Sequence, residues 1–198
     1  MNEMTNFIFF LFATAVTQNM VLSTGFGSSM LLRVIRQPKA IFPFAALLGT
    51  FCVLTVGICY PLDMLIGTEP WAKLLRPLMI VAVVAVLYLF AAAILPKCAP
   101  KFWAHYNRLL PLSAFNNLVI GIALISNHSF ALSVFGAIAL ALGCCFGFTV
   151  LALVTAEGLE RLDNPDIPPA FRGLPATLIY VGLLALAILG FAPSVSLI

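Results

Sequence analysis

The chain has 198 residues, of which 63% are apolar and 9% charged, with a formal net charge of +3. A water-soluble domain carries charge on about a quarter of its residues, so this composition excludes one: the exterior must face lipid. The few basic residues are scattered through polar breaks rather than gathered on one face, which argues against nucleic acid as a partner.

Apolar runs cover 5–32, 40–62, 75–95, 107–126, 130–156 and 174–196. A helix needs about 20 such residues to cross a bilayer. The expectation is therefore an all-α polytopic membrane protein with six transmembrane helices. It forms a single membrane domain over 1–198, with no room for a separate soluble domain. The first run is preceded by Glu3 and no basic residue, and it continues past Ala13-Thr14-Ala15. It reads as a span rather than a cleaved leader.

That first run is a poor uniform helix. It holds Thr17-Gln18-Asn19 and then Ser23-Thr24-Gly25-Phe26-Gly27-Ser28-Ser29. The break that follows carries Arg33, Arg36 and Lys39, and the second run ends at a break from Asp63 to Lys73. Lys97, Lys101 and Arg108 mark the third break. The fourth run is again interrupted, by Pro111, Ser113-Ala114-Phe115-Asn116-Asn117 and Gly121. Ser126 to Ser129 make the fourth break, and Glu157 to Arg172 the fifth, with Arg161. Eight basic residues thus lie on the side of breaks one, three and five, against Lys73 and Arg76 on the other. The positive-inside rule then puts both termini outside the cytoplasm.

The two interrupted runs align. Gln18-Asn19-Met20-Val21-Leu22 and Asn116-Asn117-Leu118-Val119-Ile120 stand at a spacing of 98. Arg76-Pro77-Leu78 and Arg172-Gly173-Leu174 open the third and sixth runs at a spacing of 96. Two three-span halves, approximately 1–98 and 99–198, must enter the membrane from opposite sides because three is odd. That is an inverted repeat, and polar, glycine-interrupted segments at matching places point to a site near the midplane. The candidate polar site is Asn19, Gly25, Gly27, Ser28, Ser29, Asn116 and Asn117. Uncompensated amides and glycines at membrane depth are costly unless they face protein or a cavity.

Little else carries chemistry. All seven carboxylates fall at span ends or in breaks, so no buried carboxylate relay is present. Cys52, Cys59, Cys144 and Cys145 lie in apolar runs without zinc-site spacing and read as small core residues. His105 and His128 fall on opposite sides, and Trp71 and Trp103 sit where interfacial anchors belong. No catalytic set, phosphate loop or metal site is expected.

Glu160-Arg161-Leu162, then Asp166-Ile167-Pro168 and Phe171-Arg172-Gly173, resemble a loop of the Rnf/Nqr integral-membrane subunits, RnfA/NqrE type. Asn19-x-Val21-Leu22 with Gly27, and Leu110-Pro111-Leu112 with Asn116, are similar to family positions. The resemblance implies a non-catalytic subunit of a complex in a bacterial or archaeal cytoplasmic membrane. Such a complex couples electron transport to Na⁺ or H⁺ movement. It also implies a homologous RnfE/NqrD-type partner of opposite orientation, besides other redox subunits and membrane lipid. The pair would share a [2Fe–2S] cluster, each chain giving one cysteine from each of its two broken helices.

Here the chain departs from the pattern. The family's two cysteine positions fall on Ser29 and Asn117. Such clusters are held by thiolates, nearly always from Cys, and neither a hydroxyl nor an amide replaces one. The expectation is a divergent member that keeps the scaffold and has lost this cluster, with no cofactor in the chain. A stand-alone inverted-repeat transporter or channel, and a purely structural assembly protein, are the alternatives left open by the sequence.

Overall fold

The computed structural model describes residues 3–12, 14–15, 20–23, 25–67, 71–128, 134–162 and 168–191. The described residues form helices and turns throughout, in the order α1 (Glu3–Phe12), α2 (Met20–Ser23), α3 (Ser28–Val34), α4 (Pro38–Ile66), α5 (Ala72–Cys98), α6 (Pro100–Tyr106), α7 (Leu109–Ala114), α8 (Asn117–His128), α9 (Val134–Leu162) and α10 (Leu174–Phe191). Four stretches are long and apolar enough to cross a membrane: Pro38–Ile66, Leu74–Cys98, Leu109–Ser126 and Val134–Leu162. The third joins α7 and α8 across a break, and the apolar part of α10, Leu174–Ile188, is shorter.

Local chemistry sets the boundaries. Pro38 occupies the first turn of α4, where its missing N–H is no loss. Gly67 ends that helix at φ 73°, its N–H returning to the Asp63 carbonyl. Ala99 separates α5 from α6 at φ −138° and ψ 66°, because the following Pro100 disfavours helical geometry in the residue before it. The short helix α6 lies inside a break that the sequence shows merely as charged. Across the opposite connection, Arg76 donates from Nε to Asp63 Oδ1 and from Nη2 to the Gly67 carbonyl at 3.2 Å. This ties the end of α4 to the start of α5.

The core is the crossing of α4 and α9, each 29 residues long. Phe44 and Phe148 meet there with ring centroids 5.6 Å apart. Small residues let the backbones approach: Gly49 lies against Cys145, and Gly143 of α9 leaves room for Thr14 and the Leu11 carbonyl. Lipid offers no hydrophobic force between helices, so close packing of this kind supplies the cohesion. The surroundings divide by burial: 61% of the most apolar stretch of α9 is buried, against 11% for α5. Helix α5 therefore turns Leu78, Val86, Leu89 and Phe90 outward, as a lipid-facing helix must. Several hydroxyls among the described residues are satisfied within their own helices. Thr155 bonds the Leu151 carbonyl at 2.7 Å and Thr149 the Cys145 carbonyl at 2.8 Å.

On this central pair the other helices are arranged in parallel sets. Helices α5, α7 and α8 pack on α4, whereas α1 and α10 pack on α9; α2 touches α10 as α8 touches α5. The cysteines read as core residues are buried at Cys52, Cys59, Cys144 and Cys145, while Cys98 is exposed.

Candidate functional site: the junction of two interrupted segments

Glycine builds the first interruption. Gly25 and Gly27 adopt φ of 73° and 80°, a left-handed conformation that side-chain-bearing residues reach only with strain. The resulting turn closes with Ser28 N–H donating to the Gly25 carbonyl at 3.2 Å. Gly27 then caps α3, accepting from Leu31 N–H at 2.9 Å.

An amide builds the second. Helix α7 stops at Phe115, whose N–H returns to the Pro111 carbonyl at 3.0 Å. Asn116 starts the next helix: its Oδ1 accepts from Leu118 N–H at 3.0 Å, and its carbonyl accepts from Val119 N–H at 3.0 Å. This is an N-cap, and it places the side chain of Asn117 in the first turn of α8.

The fold brings these two interruptions together. The Phe26 ring lies directly over Gly121, where a methyl group would collide with ring carbons Cδ2 and Cε2. A Cβ at Gly27 would stand 3.3 Å from Asn116 Oδ1 and 3.5 Å from Leu118 Cβ, with Phe148 of the core behind at 3.7 Å. The starts of α3 and α8 thus converge beside the α4–α9 crossing. Asn116 is 2% exposed and its Nδ2 has no hydrogen-bond partner among the described residues. Leu118 N–H holds Oδ1 toward the helix, which leaves the amide's donor end without an acceptor among the described residues. Thr55 Oγ1, on α4, is likewise buried and unpartnered.

Of the residues expected at a polar site, Gly27 and Asn116 lie close together, with room between them for no side chain at Gly27. Ser28 is half-buried, and Gly25, Ser29 and Asn117 are exposed. Asn19 lies outside the described residues. Sequence reasoning missed Phe26. Phe26 is an aromatic in an apolar run, and its flanking glycines were the available signal. Chemically, the junction presents N–H-rich helix starts, amides and hydroxyls, with no carboxylate or thiol among the named residues. Helix N-termini favour an electronegative atom over a bare cation.

The cap supplies a direct test of this geometry. Replacing Asn116 with Ala is expected to destabilise the folded protein by about 1 kcal/mol through loss of the α8 cap. Asn116→Ser, which keeps an acceptor, should recover most of that in detergent denaturation curves.

A small-residue helical core, four lipid-compatible crossings and interrupted segments that meet at the core define an integral membrane protein. The profile of the family described as "Rnf-Nqr subunit, membrane protein" matches residues 7–194. The chain belongs to that family. It is 31% identical over 190 residues to the RnfA component of the ion-translocating oxidoreductase complex of Pasteurella multocida, covering 95% of this chain and 97% of that one. The components of the same name from Syntrophotalea carbinolica and Rhodobacter capsulatus are 33% and 32% identical, each with 96% of this chain and 97% of theirs aligned.

The [2Fe–2S] group implied by the resemblance can be tested against the residues present. Ser29 and Asn117 sit in the first turns of α3 and α8 and are exposed, so both positions are accessible from outside the fold. Their chemistry does not fit: a neutral hydroxyl and a neutral amide cannot stand in for thiolates at iron.

Proposed function

We propose that this chain is a non-catalytic integral subunit of an ion-translocating oxidoreductase complex and that it serves there without ligating an iron–sulfur cluster. The observation that carries the first part is the end-to-end similarity to relatives named as the RnfA component of such a complex. That similarity favours this reading over a stand-alone transporter or channel. The second part is supported by Ser29 and Asn117 at the two ligand positions. Its role is that of a scaffold: the interrupted segments hold a junction inside the membrane, and electron transfer runs through other subunits.

The finer architecture belongs to the same proposal. Six crossings form two inverted halves, with α4 and α9 as equivalent central helices. Their equal lengths and their parallel sets of neighbours support this. The chain resides in the cytoplasmic membrane with both termini outside, supported by the eight-to-two distribution of basic residues between the two sides. A reporter active only outside the cytoplasm is expected to be active when fused after residue 198, and a cytoplasmic reporter silent. The partner is a homologous subunit of RnfE/NqrD type in the opposite orientation.

Mild-detergent purification from native membranes, with subunit identification, iron analysis and EPR, tests the proposal. The expected result is co-purification with a homologous membrane protein and with redox subunits, and no iron ligated by this chain. A functional homodimer with solute flux and no redox partners would overturn the first part. A cluster signal that disappears when Ser29 or Asn117 is altered would overturn the second.

A further inference from the structure

Folding gathers polar residues from two breaks that are far apart in the sequence. The start of α4 meets the connection between α6 and α7. Between them lies a cavity of about 480 Å³ lined by Gln37, His105, Tyr106, Asn107 and Arg108, among others. Its polar side chains offer an amide from each wall, an imidazole, a phenol and a guanidinium, and no carboxylate lines it among the described residues. Among the same residues Arg108 has no carboxylate partner. Arg33, Arg36 and Lys39 stand close to Gln37 in sequence, with Arg36 lining a neighbouring cavity beside Glu160. A guanidinium with amide and imidazole donors around it is the donor set that recognises a phosphate.

Depth and surroundings select the source of that phosphate. Helix α6 carries Phe102 and Trp103; Phe102 pairs with Tyr106 at a centroid distance of 5.0 Å, and Trp103 packs against the core. Aromatics of this kind sit at the headgroup level of a bilayer. Next to α6 runs the lipid-facing helix α5, with Phe90 66% and Ile94 38% exposed toward its α6 end. The cavity is lined in part by α6, which packs on α5, so this apolar face lies one helix away from a bound headgroup. Basic pockets between membrane helices are suited to anionic headgroups.

We propose that this cavity is a binding site for the phosphate headgroup of an anionic phospholipid, with Arg108 as its charged ligand and Gln37 and His105 as further donors. The site is separate from the junction of the interrupted segments and does not depend on the complex proposed above.

The test is lipid retention by the full chain, purified with whatever subunits accompany it. The protein is exchanged into nanodiscs of phosphatidylcholine doped with phosphatidylglycerol, re-extracted and analysed by native mass spectrometry. The expected result is one tightly held phosphatidylglycerol per chain and no comparable retention of phosphatidylcholine. Arg108→Gln should reduce that retention about five- to tenfold. Gln37→Glu, which sets a like charge in the cavity without removing any basic residue, should do the same. Arg161→Gln, at an exposed position outside the cavity, should leave retention unchanged, as should the monodispersity of all three variants. Equal retention of phosphatidylcholine would overturn the proposal, as would an Arg161→Gln loss as large as that of Arg108→Gln. Displacement of the lipid by millimolar inorganic phosphate would overturn the lipid as the source and make the ligand a soluble phosphate.

Discussion

Adding a methyl group at Gly121 is expected to force the two interrupted segments apart. The Phe26 ring occupies the place that the methyl would need, and the ring cannot easily retreat. It is carried on a turn whose flanking residues, Gly25 and Gly27, hold left-handed φ angles, and a side chain at Gly27 would crowd the Asn116 amide. Overpacking at such a contact costs about 1–3 kcal/mol. Gly121→Ala should therefore lower the unfolding midpoint in detergent clearly, and Gly121→Leu more so. The decisive measurement is a double-mutant cycle. Phe26→Ala removes the ring at its own cost, and Phe26→Ala/Gly121→Ala should be no less stable than Phe26→Ala alone. Contacting residues couple in this way, whereas distant ones add within about 0.5 kcal/mol. Additive losses would mean that the two interruptions do not meet.

The second large effect concerns the missing thiols. Ser29→Cys/Asn117→Cys, expressed with its native partner subunits, is expected to gain iron, visible absorbance and an EPR signal that the unaltered complex lacks. Both positions lie in the first turn of a half-helix and are exposed. A cysteine near a helix N-terminus has a lowered pKa and supplies the thiolate that a cluster requires. Four ligands are needed, so this chain's two must be completed by two from a partner, and neither single variant should suffice. If the folded double variant assembles and takes up no iron, the scaffold does not present these positions to a partner. If the unaltered complex already carries a cluster ligated by this chain, the proposed loss is wrong.

Much of the fold was legible because lipid leaves the chain few options. The apolar runs at 40–62 and 130–156 became α4 and α9, extended to whole helices by polar ends that periodicity cannot delimit. The interruptions at Gly25–Gly27 and Asn116 were legible for the same reason, since glycine and amides stand out in a hydrocarbon context. Helix α6 was not foreseen: seven residues between Pro100 and Tyr106, framed by Lys97 and Arg108, read as a charged break. The contact of Phe26 with Gly121 was equally hidden, because an aromatic and a glycine in apolar runs are compatible with many packings. The Arg76–Asp63 pair joins residues that were each legible as interfacial, yet their union depends on the geometry of the turn at Gly67. Charge clustering misled in one respect. Gln37 and Arg108 belong to different breaks and appear scattered along the chain, and folding sets them on opposite walls of one cavity.

The Phe26–Gly121 lock also has a bearing on biogenesis. Its two members are 95 residues apart, so at about 5–20 residues per second the ribosome needs roughly 5–20 s to deliver the second after the first. Throughout that interval Phe26 lacks the Gly121 surface against which it packs in the folded chain. Until then the polar, glycine-interrupted segment next to it is costly to leave in bulk lipid. A chain truncated ahead of residue 121 would present quality-control proteases with that uncovered segment.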